Sequence, residues 1–180
     1  MEVAEAEFVL EPLAPAHDRS AFSCGEPVLD EYLRHRASQD VRRRVARAFV
    51  AVDRTDGTIA GYYTLSAASF SRRQLPEALA RRLPHYPVPA AILGRLAIDR
   101  RCQGRGLGTL MLADAVKRVL RASETLAIHA IIVDAKNDRA RTFYERFGFV
   151  AFTDAPDRLY LPLATALQGA AQEPAARRPV

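Results

Sequence analysis

Lysine is almost missing from this chain. Of the 26 basic side chains in 180 residues, only Lys117 and Lys136 are lysine and the rest are arginine. That shortage removes one phosphate-binding device: a Walker A loop needs a lysine directly after its last glycine, and Gly108 is followed by Thr109 and Leu110. Cysteine is equally sparse. Cys24 and Cys102 lie far apart, with no CxxC pair and no cluster of histidines, so neither a disulfide framework nor a metal site is expected. No long uncharged apolar run offers a membrane span. The opening Met-Glu-Val-Ala-Glu-Ala-Glu is acidic where a secretory leader would be basic, so a cytoplasmic chain with no membrane role is expected.

What is present is enough apolar material for one core, 49% of residues. We expect one domain over residues 1–167 and a disordered, Ala/Pro/Arg-rich tail from Gln168 to Val180. The net charge of +5 is uneven. Arginines gather at Arg42, Arg43 and Arg44, at Arg72 and Arg73, and at Arg81 and Arg82, with Arg95 on a later apolar segment. Their number also follows from a GC-rich genome. Their planar forks nevertheless match phosphate, and the clustering points to a polyanion partner.

Phe8 to Leu13 reads as a first strand. Leu29, Leu33, Ala37, Val41 and Val45 recur every four residues and predict one long helix with an apolar face. Ala48 to Asp53 and Thr58 to Ala67 are strand-like runs joined by Arg54-Thr-Asp-Gly57, whose Asp-Gly signals a hairpin turn. Ser71 to Pro84 is a short basic helix candidate inserted before the next strand, which begins near Ala91. A helix over Leu107 to Leu120 follows, then a nearly continuous apolar strand, Ala127 to Ala135. Asn137 and Asp138 cap a further helix, Arg139 to Phe147, stopped by Gly148. Leu159 to Leu163 makes a last strand. This order predicts a mixed α/β fold, a mainly antiparallel central sheet flanked by helices.

The most informative segment runs from Leu96 to Thr109. An apolar strand ends, the chain turns through Gly104 and Gly106, and a helix starts at Leu107 with Gly108 in its first turn. Free N–H groups at such a helix start favour an anion, and the glycines allow close approach. A dinucleotide fingerprint fails here, because its third glycine position falls on Thr109. Gln103-x-x-Gly106-x-Gly108 between strand and helix instead resembles the pyrophosphate signature of the Gcn5-related N-acetyltransferase superfamily. The ligand this implies is acetyl-CoA. Its phosphates would lie on Gln103, Gly104, Arg105, Gly106, Leu107, Gly108 and Thr109, and its pantetheine arm along the backbone of Leu96, Ala97 and Ile98. Asn137 resembles a position that bonds the pantetheine or its surroundings, and as a bare feature it is equally a helix cap.

Thr142-Phe-Tyr-Glu-Arg-Phe-Gly-Phe149 looks like the superfamily helix whose tyrosine gives a proton to the departing coenzyme A thiolate, which implies Tyr144 as general acid. No carboxylate or histidine stands out as a base, since Asp134, His129 and His85 are isolated. An acceptor that needs little deprotonation fits that lack: an α-amine with a pKa of about 8 is partly neutral at cellular pH, whereas a lysine amine near about 10.4 is not.

Three further segments, Phe22 to Leu33, Gly61 to Ser66 and Pro87 to Ala97, resemble the TacT/AtaT-like acetyltransferase toxins of type II toxin–antitoxin modules. The resemblance implies transfer to the α-amine of aminoacyl-tRNA and a block of translation. It also implies a ribbon-helix-helix antitoxin, operator DNA reached only through that antitoxin, and a homodimer. The arginines named above would then meet the acceptor stem. Other readings are an N-acetyltransferase of a small amine or a protein N-terminus, and a non-catalytic acetyl-CoA-binding regulator.

Overall fold

The computed structural model describes residues 7–172, with side chains to Gly169. Its strands are β1 Phe8–Pro12, β2 Arg47–Asp53, β3 Ile59–Phe70, β4 Val88–Ile98, β5 Ala130–Asp134, β6 Val150–Ala151 and β7 Arg158–Pro162. They form one sheet in the order β1-β2-β3-β4-β5-β7-β6. The pairs β1/β2, β2/β3, β5/β7 and β6/β7 are antiparallel. The helices are α1 Pro27–Glu31, α2 Ala37–Arg42, α3 Glu77–Ala80, α4 Leu107–Ser123, α5 Asp138–Glu145 and α6 Leu163–Gln172. The mixed α/β class read from the sequence is the observed one.

The contacts divide the chain into two compact units. The first holds the described residues up to Ala67 together with Ile92–Arg118. In it, the hairpin between β2 and β3 turns at Gly57, whose φ is 72°, while Asp56 Oδ1 accepts from Thr58 N at 2.9 Å. The expected long helix is instead α1, a π-helical turn over Tyr32–Arg36, and α2. An apolar repeat of four drifts by about 40° per step on a 3.6-residue helix, and one widened turn takes up that drift. Leu33 and Ala37 stay fully buried as a result. The repeat does not extend to Val45, which is 59% exposed: α2 stops at Arg42, and Arg44 at φ 58° turns the chain toward β2.

Phe22, Tyr32, Leu33, Val50, Ile59, Tyr62 and Ala97 form the core of this unit. Each large side chain removed from water there stabilises by about 1.5–3 kcal/mol. Gly61 is where β3 comes too close to its neighbours for any side chain. A Cβ there would lie 2.7 Å from Met111 Sδ and 3.0 Å from Ala97 O.

The second unit holds Ala68–Ala91 and the described residues from Val119 onward. Phe70, Phe152 and Tyr160 pack ring on ring, with centroids 4.9 to 6.4 Å apart. The single helix expected over Ser71 to Pro84 is replaced by a 3-10 turn, Arg72–Gln74, and the short α3. Pro76 explains the break: it donates no hydrogen bond and holds Leu75 extended, at φ −102° and ψ 156°. β4 starts three residues before Ala91, and β5 starts at Ala130 rather than Ala127. α6 continues into Gln168 to Gln172, where no ordered element was expected, and residues 173–180 of the expected tail lie outside the described residues.

Gly61→Ala is expected to destabilise the protein by about 1–3 kcal/mol through overpacking against Met111 and the Ala97 carbonyl. Denaturant unfolding measures it, and an unchanged midpoint would refute the close approach.

Candidate active site

The turn expected to grip an anion lies within the first unit, between β4 and α4. Leu96, Ala97 and Ile98 close β4, with Ala97 buried in the core and its two neighbours half-buried. Asp99 then caps a 3-10 turn, Arg100–Cys102. Gly104 and Gly106 follow at φ 77° and 78°, left-handed conformations that a Cβ would strain. A Cβ built on either would meet nothing within 4 Å, so the backbone faces open space. Leu107 is buried to 1% and pins the head of α4, while Leu110 N donates to Gly106 O at 3.1 Å. The N–H groups of Leu107, Gly108 and Thr109 precede the intrahelical ladder and are left for an anion.

The polar side chains of this turn hold it rather than reach over it. Gln103 Nε2 donates to Ile98 O and to Cys24 O, both at 3.0 Å, strapping the turn to the strand end and to the loop before α1. The Arg105 guanidinium pairs with Glu7 and sits 5.3 Å from the Phe8 ring centroid.

Two carboxylates that the sequence reading passed over organise this region. Asp99 is 2% exposed and accepts from Ser23 N at 3.1 Å, Arg101 N at 3.0 Å and Arg101 Nε at 2.8 Å. Burial by itself would raise its carboxyl, but the hydrogen bonds from Arg101 and Ser23 outweigh that and hold it below the usual carboxylate range. Asp30 accepts from Cys24 N at 2.8 Å and Ser23 Oγ at 3.3 Å, and is held low in the same way against its own burial. Arg100 N completes the stitching by donating to Ser23 O at 2.9 Å. A signal for Asp30 was available: an acid three and seven residues before Leu33 and Ala37 falls on the apolar face and needs a partner there.

Tyr144 lies in the second unit, on α5, and is 8% exposed. Its ring meets Phe143 and Phe149 with centroids 5.2 and 5.5 Å away. Desolvation pushes its phenol up to about 12, and among the described residues no side chain or carbonyl takes its proton in a hydrogen bond. Such a phenol stays protonated through the physiological range with its donor uncommitted. Asn137 is the N-cap of α5, its Oδ1 accepting from Ala140 N at 2.9 Å, which is the structural role its position suggested.

Residues 13–149 match the Acetyltransferase (GNAT) family. The chain belongs to it. Within the GNAT family, it is 40% identical over 149 residues to the tRNA-acetylating toxin of Mycobacterium tuberculosis, covering 83% of this chain and 88% of that one. It is 30% identical over 169 residues to the probable toxin TacT of Sinorhizobium fredii, covering 89% and 93%. Among solved structures, AtaT complexed with acetyl-methionyl-tRNAfMet superposes with a TM-score of 0.85 at 31% identity, over 91% of this chain and 99% of that one. Similar solved structures also include the AtaT Y144F mutant toxin bound to the C-terminus of the antitoxin AtaR, AtaTR bound with AcCoA, and a KacTA–DNA complex.

The arginines differ in what they are free to do. Arg72 Nη1 donates to the carbonyls of Ala80 at 3.4 Å and Leu83 at 3.2 Å, bracing its own segment, and Arg81 pairs with Glu77 at 2.5 Å. Arg42, Arg43 and Arg44 lie exposed at the end of α2, as do Arg73 and Arg82 in the Ser71 to Pro84 segment. Arg95 is half-buried, its guanidinium carbon 3.6 Å from the centroid of the Tyr32 ring. No helix among the described residues is long and apolar enough to cross a membrane.

Asp99→Asn is expected to lower stability by about 1–3 kcal/mol at pH 7, because the charge is lost and one of the two oxygens becomes an NH2 that sets a donor against either Ser23 N or the Arg101 donors. The folded Asp99 carboxyl titrates below its unfolded value of about 3.9, so its contribution is present above about pH 4 and fades as pH falls through the folded value. Unfolding curves of wild type and variant should converge in acid. A gap that stays constant from neutral pH into acid would show that the charge of Asp99 contributes nothing.

Proposed function

We propose that this protein is a toxin acetyltransferase that moves the acetyl group of acetyl-CoA onto the α-amine of the amino acid on a charged tRNA, and so blocks translation. The observation that carries this reading is the open Gly104 to Gly106 turn at the head of α4, in a chain 40% identical to an enzyme named tRNA-acetylating toxin. The amides of Leu107, Gly108 and Thr109 and the backbone at Gly104 and Gly106 would hold the pyrophosphate, with Gln103 and Arg105 keeping the turn in shape. The end of β4 at Leu96, Ala97 and Ile98 would receive the pantetheine, and Asn137, the N-cap of α5, would bond the pantetheine or its surroundings.

The neutral α-amine attacks the thioester carbonyl, a carbon–nitrogen bond forms and the carbon–sulfur bond breaks. Tyr144 gives its proton to the departing thiolate, and the amine's surplus proton passes to solvent, which returns a proton to the Tyr144 phenolate. The products are the acetylated aminoacyl-tRNA and coenzyme A. The exposed Arg42, Arg43, Arg44, Arg73 and Arg82, together with Arg95, provide the RNA-facing charge. Arg72 and Arg81 are engaged within their own segment and would contribute less.

The same reading extends to partners. A ribbon-helix-helix antitoxin would neutralise the toxin, operator DNA would be reached through that antitoxin, and the working form would be a cytoplasmic homodimer. The AtaT–AtaR and KacTA–DNA complexes support the antitoxin and DNA parts.

Tyr144→Phe should keep acetyl-CoA affinity and lose about 10²–10⁴-fold in transfer rate. Incubation with charged tRNA and labelled acetyl-CoA reads both, and undiminished transfer would remove Tyr144 as the acid. The KM for charged tRNA should rise steeply with salt while that for acetyl-CoA moves less. A tRNA KM flat from low to high salt would discard the arginine surface.

A further inference from the structure

From Tyr62 to Ser66, β3 carries four hydroxyl side chains, and three of them are spent. Tyr62 Oη donates to Leu29 O at 2.8 Å, Ser66 Oγ donates to Val45 O at 2.8 Å, and Tyr63 Oη donates to Asp114. Thr64 is the exception. It is 1% exposed, and among the described residues its hydroxyl has no hydrogen-bond partner. The neighbouring strands supply none: its register partner on β2 is Ala48, and on the β4 side stands Gly94, where a Cβ would lie 3.1 Å from Thr64 Oγ1. Buried hydroxyls are nearly always bonded, so one left open at this depth calls for a partner from outside the chain.

Gly94 marks where such a partner would enter. β4 has a strand on each side in the sheet, yet Gly94 is exposed, and Arg95 and Leu96 after it are only half-buried. Its φ is not left-handed, so the backbone does not require glycine there; what glycine supplies is space. A glycine inside a strand weakens it and often sits where a ligand or another backbone comes close.

Thr64, Gly94 and the end of β4 belong to the same unit. In the coenzyme reading above, the pantetheine arm leaves phosphates at the head of α4 and runs back along Ile98, Ala97 and Leu96. Its thioester end then points toward Gly94, two residues further along β4, or about 7 Å. The gap lies where an acceptor would meet the acetyl group.

We propose that Thr64 Oγ1, reached through the gap at Gly94, anchors the acceptor amine. A neutral amine must aim its lone pair at the thioester carbonyl, which leaves its N–H groups to be satisfied. One of them donates to Thr64 Oγ1, and that contact fixes the line of attack. The hydroxyl keeps its own proton throughout. This rests on the acetyl-transfer reading and deepens it by naming the group that holds the amine.

The test uses the full chain with charged tRNA and acetyl-CoA. Thr64→Val removes the hydroxyl at nearly constant shape, and kcat should fall about tenfold, the scale of one hydrogen bond to the reacting group. Affinities for acetyl-CoA and for deacylated tRNA should be unchanged, since neither carries the amine. The unfolding midpoint should hold or rise, because an unpaired buried hydroxyl has been removed. Thr64→Ser should recover most of the lost rate. Gly94→Ala, whose methyl closes on Thr64 Oγ1, should lower kcat and leave both affinities in place.

Wild-type turnover by Thr64→Val would take Thr64 out of the reaction while the transferase reading stands. If that variant instead unfolds at lower denaturant, or loses acetyl-CoA or deacylated tRNA affinity along with its rate, Thr64 is structural and the proposal falls. A wild-type protein that acetylates no charged tRNA overturns the function and this contact with it.

Discussion

Where β4 stops being a strand, the chain must leave the sheet, turn and enter α4 with its amides facing outward, and Asp99 is the residue that makes this possible. Its carboxylate is buried, which is costly unless every lone pair is used. Ser23 N, Arg101 N and the Arg101 guanidinium use them, and the result is a charge that cannot leave without breaking three contacts. Through Ser23 the constraint passes to the loop ahead of α1, where Asp30 repeats it on Cys24 N. Gln103 adds a third tie from the turn to that same loop. The open backbone at Gly104 and Gly106 is therefore rigidly backed, as a site built from amides must be if they are to be placed before the ligand arrives.

The parts of this arrangement that were legible in the sequence are those fixed by local chemistry. The Asp-Gly hairpin, the strand-glycine-helix turn, the Asn137 cap and the Gly148 stop each follow from what one or two residues permit, and each is present. Elements decided by register or by distant partners were less legible. A four-residue apolar repeat reads equally well as one helix or as two pieces joined by a π turn, because the widened turn appears in the hydrogen bonding and not in the composition. Likewise α3 and the 3-10 turn before it share a basic, helix-favouring segment, and only the effect of Pro76 on Leu75 separates them. Asp99 and Asp30 were passed over because their partners are largely backbone amides elsewhere in the chain, which no spacing rule reveals.

Charge illustrates the same division. A count of arginines says that the surface attracts polyanions, but it weighs Arg72 and Arg95 alike. The structure separates them by what their donors already hold: Arg72 is used on the carbonyls of Ala80 and Leu83, while Arg95 leans on a buried ring and keeps its donors free. For the proposed tRNA substrate, the second kind would position the large anion and the first would only add to the field.

The acid and the acceptor proposed for this enzyme also constrain one another. Tyr144, raised to about 12 by desolvation, holds its proton at any pH the cell reaches, so in the role proposed for it the phenol would serve as a donor and not as a base. The burden of supplying a free nucleophile then falls on the acceptor itself. A lysine amine, with a pKa of about 10.4, would be neutral in roughly one molecule in a thousand near pH 7, whereas an α-amine near about 8 would be neutral in roughly one in ten. That hundredfold difference is about what a dedicated general base contributes to an enzyme. Where no side chain is assigned as that base, the proposed reaction would gain most from an α-amine, and an amino acid esterified to tRNA would present that group on a polyanion.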